Sequence, residues 1–406
     1  MHEANPGGGG EDTPSVAPLA PQAVPVPIGP PGDTFAESVH ADATWGDEAP
    51  EFEFADSQVD PDAPPIQLGL GIWLGIIVIL GLAGLVFQQV ELGLLVSLAG
   101  AFVAAHAADR DPSYRPLHLL LSGAMIAGSA LMFGALAFWL ATQANPGPLR
   151  PLATGISGGA AILSLLTVWR PLADGMASAV FRTLHPDHVT RLGGRVVLMV
   201  LLFIIPGVAA FPTLIDQMAE RAEPLLDTGQ LVSSLIGLVV LALGGIGFLV
   251  RRGPRSSLER LGLRVPRASH YLVALLGIVA LFLLNVSVDW IERTFFPGLW
   301  KSDDRINQMM VNGIGTAGMV LLGLSAGIGE ELSMRGALQP RLGLIFTAVV
   351  FASLHVHYSW IGMSTILLLG VTLGVIRDRT STTVAILVHS VYDILAVVNA
   401  RNPGGH

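Results

Sequence analysis

An ionisable side chain inside a long apolar stretch costs several kcal/mol unless it is paired or wetted, so each one asks for a chemical reason. Three groups of them stand near the end of this chain. Gly329-Glu330-Glu331-Leu332-Ser333-Met334-Arg335 closes one apolar segment, Phe351-Ala352-Ser353-Leu354-His355 lies in the next, and His389-Ser390-Val391-Tyr392-Asp393 lies in the last. Carboxylates and imidazoles are the groups that activate water, relay protons or hold a metal. Glu331 and Arg335 are four apart with the acid first, which suits a helical ion pair. That pair would hold the helix end and leave Glu330 about 100° round the helix, free to face something else. Phe351 with His355, and His389 with Asp393, are also four apart and share helix faces. Asp393 could accept from one nitrogen of His389 and set its tautomer.

Depth brings the three groups together. At 1.5 Å per residue, Glu330 lies roughly 16 Å from the basic marker Arg341, and His355 roughly 21 Å from the same marker on the following segment. Counted from Arg379, His389 is roughly 15 Å deep and Asp393 roughly 21 Å. Singly, each group has a plain structural explanation: Glu331–Arg335 as an ion-paired helix end, His355 as packing, His389–Asp393 as a helix lock. At one shared depth they read as a functional site.

The elements that must position these residues are membrane helices. Hydrophobic residues make up 51% of the 406 and charged residues only 13%, too few to cover a soluble surface. Eleven apolar segments are candidates to span, at 66–87, 92–107, 117–141, 153–169, 195–212, 231–250, 271–288, 307–327, 341–358, 360–376 and 382–399. The expected fold is all-α, a polytopic transmembrane helical bundle of about eleven helices. Before it, residues 1–65 hold 13 acids and no Lys or Arg. This Pro/Gly-rich stretch reads as a retained, disordered acidic tail. Its Glu51-Phe52-Glu53-Phe54 patch could dock a partner. The rest of the chain carries 18 acids against 22 bases, a net of +4.

Arg110, Arg115, Arg170, Arg182, Arg191, the run from Arg251 to Arg267, Arg377 and Arg379 all fall on one face of an eleven-span chain. The positive-inside rule makes that face cytoplasmic. The tail is then cytoplasmic and the C-terminus external, with the site nearest the cytoplasm. The basic loop 251–270 divides an N-terminal module, 66–250, from a core at 271–400. Before this loop no intramembrane segment shows a clear acid–base constellation. There are no cysteines, which excludes disulfides, thiolate metal sites and a cysteine nucleophile. Lys301 is the single Lys against many Arg, which hints at a GC-rich bacterial genome. The expected setting is a bacterial plasma membrane, with the bilayer and a peptide or membrane-protein substrate as partners, and no nucleic acid.

The order Glu-Glu-x-x-x-Arg, Phe-x-x-x-His and His-x-x-x-Asp on successive apolar segments resembles the CAAX-protease and bacteriocin-processing family of intramembrane proteases. The resemblance covers about 250–400, with Leu258-Glu259-Arg260-Leu261-Gly262-Leu263 similar to the family's usual lead-in. It implies an endopeptidase in which Glu330 activates water beside His355, with His389 and Asp393 completing the site. The third motif ends in Asp393 where some relatives have Asn. Two chemistries fit the resemblance. In one, Glu330, His355 and His389 hold a zinc ion that acidifies water and polarises the peptide carbonyl. In the other, Glu330 and His355 bind water without metal, while His389 and Asp393 stabilise the oxyanion.

Other functions leave other marks. His-Glu-x-x-His is absent. Gly155-Ile156-Ser157-Gly158 matches the Gly-x-Ser-Gly of rhomboid-type proteases, but the Gly155 and Gly159 spacing suits close helix packing. A proton- or ion-coupled transporter would use the same ionisable groups, yet no internal repeat accompanies them. A non-catalytic scaffold or immunity factor is the third reading, and intact motifs count against it.

Overall fold

Hydrocarbon offers no water to compete for backbone groups, so an apolar segment settles as a helix that closes its own hydrogen bonds. In the computed structural model every regular element among the described residues is helical. The structure describes residues 59–143, 147–220, 226–311 and 314–401. The acidic tail up to residue 58, with the Glu51–Phe54 patch, lies outside them.

The first half runs α1 (Ile66–Val86), α2 (Val90–Arg110), α3 (Arg115–Thr142), α4 (Arg150–Leu166), α5 (Arg170–Phe181), α6 (His188–Leu202), α7 (Ile204–Glu220) and α8 (Thr228–Ile246). A short α9 (Pro254–Arg260) leads to α10 (Ala268–Phe295), α11 (Pro297–Val311) and α12 (Thr316–Glu331). The helix continues from α12 as a π-helical stretch, Leu332–Leu338, and then α13 (Gln339–Leu342). α14 (Leu344–Ser353), α15 (Trp360–Arg379) and α16 (Thr382–Arg401) complete the chain.

Among the described residues, seven helices are long and apolar enough to cross a membrane unbroken, and three bent pairs bring the candidates to ten. The pairs are α4 with α5, α6 with α7, and α11 with the α12–α13 rod, bent by 114°, 52° and 111°. The apolar segment 341–358 behaves differently. Its helix α14 has ten residues, about 15 Å, which is half a bilayer core. The chain goes on through non-helical residues 354–359. His355 therefore sits on a loop beyond a half-length helix, not within a continuous span. Non-helical backbone at such depth is tolerated where protein or a polar cavity surrounds it.

Many of the arginine-bearing ends meet on one face. Asp60 N–H donates to Arg251 O at 2.9 Å, and Arg110 Nη1 to Pro64 O at 3.1 Å, joining the start of α1, the end of α2 and the turn after α8. Arg260 donates to Gly336 O at 2.9 Å, Thr382 N–H to Gly262 O at 3.1 Å, and Gln339 Nε2 to Asp378 Oδ1 at 2.8 Å. These contacts add α9, α13, the end of α15 and the start of α16. At the other face lies α11, a polar helix tied to α7 by Arg305–Asp216 at 2.6 Å and to the end of α16 by Gln308 Nε2 donating to Ala400 O at 3.2 Å.

An acid–base cluster also stands at the arginine-bearing face, outside the apolar segments, where the end of α2, the start of α6 and the turn after α8 meet. Asp109 on α2 accepts from His188 N–H at 3.0 Å and pairs with the buried Arg251 at 3.2 Å. Its members come from three places far apart in the chain, so no local spacing signals it. The Gly155 reading also changes. A Cβ on Gly155, Gly158 or Gly159 would meet nothing within 4 Å, so these glycines do not permit a close helix approach. Ser157 is buried, and its hydroxyl has no hydrogen-bond partner among the described residues.

Candidate active site

The site is built where α12 and α16 touch. Gly323 and Gly327 are four apart on α12 and face α16. A Cβ on Gly327 would stand 2.1 Å from Ser390 Oγ and 2.7 Å from Ser390 N, and one on Gly323 would stand 2.7 Å from Ser390 O. Two missing side chains thus let the backbones approach, as small residues at this spacing do in membrane helices. Ser390 follows His389, so the close approach delivers that imidazole to the end of α12. On its other side α12 is pinned to α8. Ser325 Oγ donates to Leu231 O at 2.7 Å and Ser333 Oγ to Leu238 O at 3.1 Å. Helix α8 therefore packs directly on the site-bearing helix.

His389 is the hub. Its Nδ1 lies 2.9 Å from Glu331 Oε1, and the same carboxylate pairs with Arg335 at 3.1 Å. A carboxylate already facing a guanidinium accepts, so His389 donates its Nδ1–H and turns Nε2 outward. That atom faces Asp393 Oδ2 at 3.4 Å and Glu330 Oε2 at 4.0 Å. The tautomer-setting role expected of Asp393 therefore belongs to Glu331, which comes from another helix. The i,i+4 pairing of Glu331 with Arg335 holds, and it is fully buried, with side chains 0% and 1% exposed. Arg335 is held further by Gly370 O at 3.1 Å and by stacking 4.7 Å from the centre of the Phe351 ring. Glu330 differs from its neighbour. Its side chain is 27% exposed, and it makes no direct hydrogen bond among the described residues.

The π-helical stretch begins immediately after Glu331 and includes Arg335. Such widened turns recur at functional sites, because they redirect side chains a regular helix would aim elsewhere.

His355 approaches from the loop. Leu354 and His355 still donate their N–H groups to Phe351 O and Ala352 O, at 3.2 and 3.0 Å, a last tightened turn that keeps His355 over Phe351. Their rings lie 4.9 Å apart, and Phe351 meets His389 edge-on at 6.2 Å. His355 Nδ1 is 3.0 Å from Phe351 O. A carbonyl only accepts, so His355 also donates Nδ1–H and keeps a bare Nε2, the form suited to take a proton. Glu330, Glu331, Arg335, His389 and Asp393 thus share direct contacts, and His355 joins them through Phe351. Among the described residues, no three carboxylate or imidazole groups converge closely enough to hold a metal. Glu331 on His389 Nδ1 leaves Nε2 available, as it would be in either a zinc ligand or a hydrogen-bond donor to an oxyanion.

Fold and site together define a polytopic helical membrane protein with a carboxylate–imidazole cluster buried between its last helices. The family model for type II CAAX prenyl endopeptidase Rce1-like proteins matches residues 313–395, about a fifth of the chain. That segment contains all six residues just described, and it is similar to the Rce1-like family of CAAX prenyl endopeptidases. No curated protein and no solved structure matches the chain.

Proposed function

We propose that this chain hydrolyses a peptide bond in a membrane-associated protein or peptide without a metal. The observation that carries the reading is the anchoring of His389: Nδ1 is held by a buried Glu331 and Nε2 is turned toward Glu330 and Asp393. Glu330, the most exposed carboxylate of the cluster, takes a proton from water with His355 Nε2 as the second acceptor. The water oxygen adds to the peptide carbonyl carbon. The oxyanion so formed accepts a hydrogen bond from His389, whose charge Asp393 and Glu331 balance. Collapse breaks the C–N bond, and the proton held by Glu330 passes to the leaving amine.

We place the arginine-rich face in the cytoplasm of a bacterial plasma membrane, following the positive-inside rule. In this cysteine-free chain, Arg264→Cys labelled only from outside would reverse that orientation.

The test of the activity uses Glu330→Gln, which keeps volume and hydrogen bonding but removes the base. Membranes carrying the parent should accumulate new protein N-termini that membranes carrying the variant lack. The rate should fall by about two to four orders of magnitude. Equal cleavage by the two proteins would end the assignment. Proton or ion flux through liposomes that depends on Glu330 would put a transporter in its place.

A further inference from the structure

The loop that carries His355 has little hydrogen bonding of its own, yet it holds a side chain whose placement the chemistry needs. Two consecutive residues a few positions beyond His355 are held by one turn of α11. Asp303 accepts from Ser359 N–H at 2.8 Å through Oδ1 and from Ser359 Oγ at 2.7 Å through Oδ2. Asn307, four residues on, accepts from the Tyr358 hydroxyl at 2.8 Å through Oδ1. Tyr358 N–H in turn donates to His355 O at 3.1 Å, so the grip reaches the histidine through one tight turn. Ser359 also caps α15, its Oγ accepting from Gly362 N–H at 3.2 Å.

The packing around these contacts leaves no slack. Asp303 is buried. Gly362 has no room for a side chain, since a Cβ there would stand 2.7 Å from Asp303 Oδ2 and 2.9 Å from Tyr358 Cβ. Glu292 on α10 backs the cluster, with Oε1 3.4 Å from Ser359 Oγ. A buried carboxylate is costly unless its oxygens are satisfied, and both oxygens of Asp303 are spent on this one loop residue. A polar helix laid against the far face of an apolar bundle thereby has a specific task.

We propose that α11 is a positioning clamp for His355, with Asp303 and Asn307 as its positioning residues; this rests on His355 belonging to the hydrolytic site. Neither residue touches the reacting atoms. They set where the loop stands, and a displacement of about 1 Å at a catalytic group can cost a hundredfold in rate.

The test measures hydrogen exchange of the 354–359 amides and the hydrolysis, by the full chain, of an internally quenched peptide spanning a cleavage site mapped from the new N-termini in parent membranes. In Asp303→Ala and Asn307→Leu, exchange in 354–359 should rise about tenfold or more while α12 and α16 stay protected. The kcat should fall about ten- to a hundredfold with KM within about twofold of the parent. Asp303→Asn, which keeps an oxygen for Ser359 N–H and can donate to Ser359 Oγ, should retain most of the parent kcat. Tyr358→Phe combined with Asn307→Leu should be no worse than either alone, because both remove one contact. Unchanged loop exchange overturns the clamp, and so does raised exchange with unchanged kcat. If the parent hydrolyses the peptide no faster than Glu330→Gln, the protease reading fails instead. The exchange data then show separately whether α11 holds the loop.

Discussion

Gly327→Ala tests whether the α12–α16 approach creates the site. The added methyl would stand 2.1 Å from Ser390 Oγ, which can rotate away, but also 2.7 Å from Ser390 N and 2.9 Å from Ser390 Cα, which cannot. Ordinary contact begins at 3.4 Å, so α16 must withdraw by roughly 0.7 Å at Ser390. His389 is the preceding residue. Its 2.9 Å bond to Glu331 would stretch beyond hydrogen-bond range, and its 4.0 Å separation from Glu330 would widen. Asp393, on the same helix as His389, would move with it and offer no compensation. Overpacking of this kind costs about 1–3 kcal/mol, and displacing one half of a catalytic constellation should lower the rate about ten- to a hundredfold. The control is Gly155→Ala, where a Cβ meets nothing within 4 Å and stability should move by no more than about 1 kcal/mol. Thermal unfolding in detergent and hydrolysis of the peptide spanning the mapped cleavage site are the two readouts. A Gly327→Ala protein as active and as stable as Gly155→Ala would refute the argument that glycine contact builds the site.

Three further outcomes follow from the same geometry. Glu331→Gln leaves the Arg335 guanidinium, 1% exposed, without its counter-charge; the loss should reach about 3–5 kcal/mol, seen as a lowered unfolding midpoint, with activity falling alongside. An unchanged midpoint in that variant would mean that the pair does not anchor the helix end. Extended dialysis against chelator should leave hydrolysis intact, and metal analysis should find no stoichiometric zinc; zinc that is retained by the parent and lost in His389→Ala would restore the metal mechanism. Removal of residues 1–58 should leave membrane insertion and hydrolysis unchanged, because an acidic segment poor in apolar residues adds little to a helical core; failure of the truncated protein to fold would reverse that view.

The candidate site residues were legible in the sequence because they stand out by residue type and local spacing. Ionisable groups in apolar segments stand out against their surroundings, and four-residue intervals paired Glu331 with Arg335 and set His355 over Phe351 before any fold was known. The all-helical membrane architecture was legible for the same reason: twenty apolar residues in hydrocarbon have little alternative to a helix. Partnership across helices was not legible. Asp393 is the obvious neighbour of His389 along α16, yet Glu331, 58 positions earlier, takes its Nδ1. Two glycines whose role depends on what faces them bring those helices together. The same blindness hid the half-length of α14, since an apolar run does not say where its helix stops, and it hid the hold of Asp303 and Asn307 on the His355 loop. Spacing along one helix is a property of the chain, whereas distance between helices depends on which small residues face which neighbours, and only the packed bundle decides that.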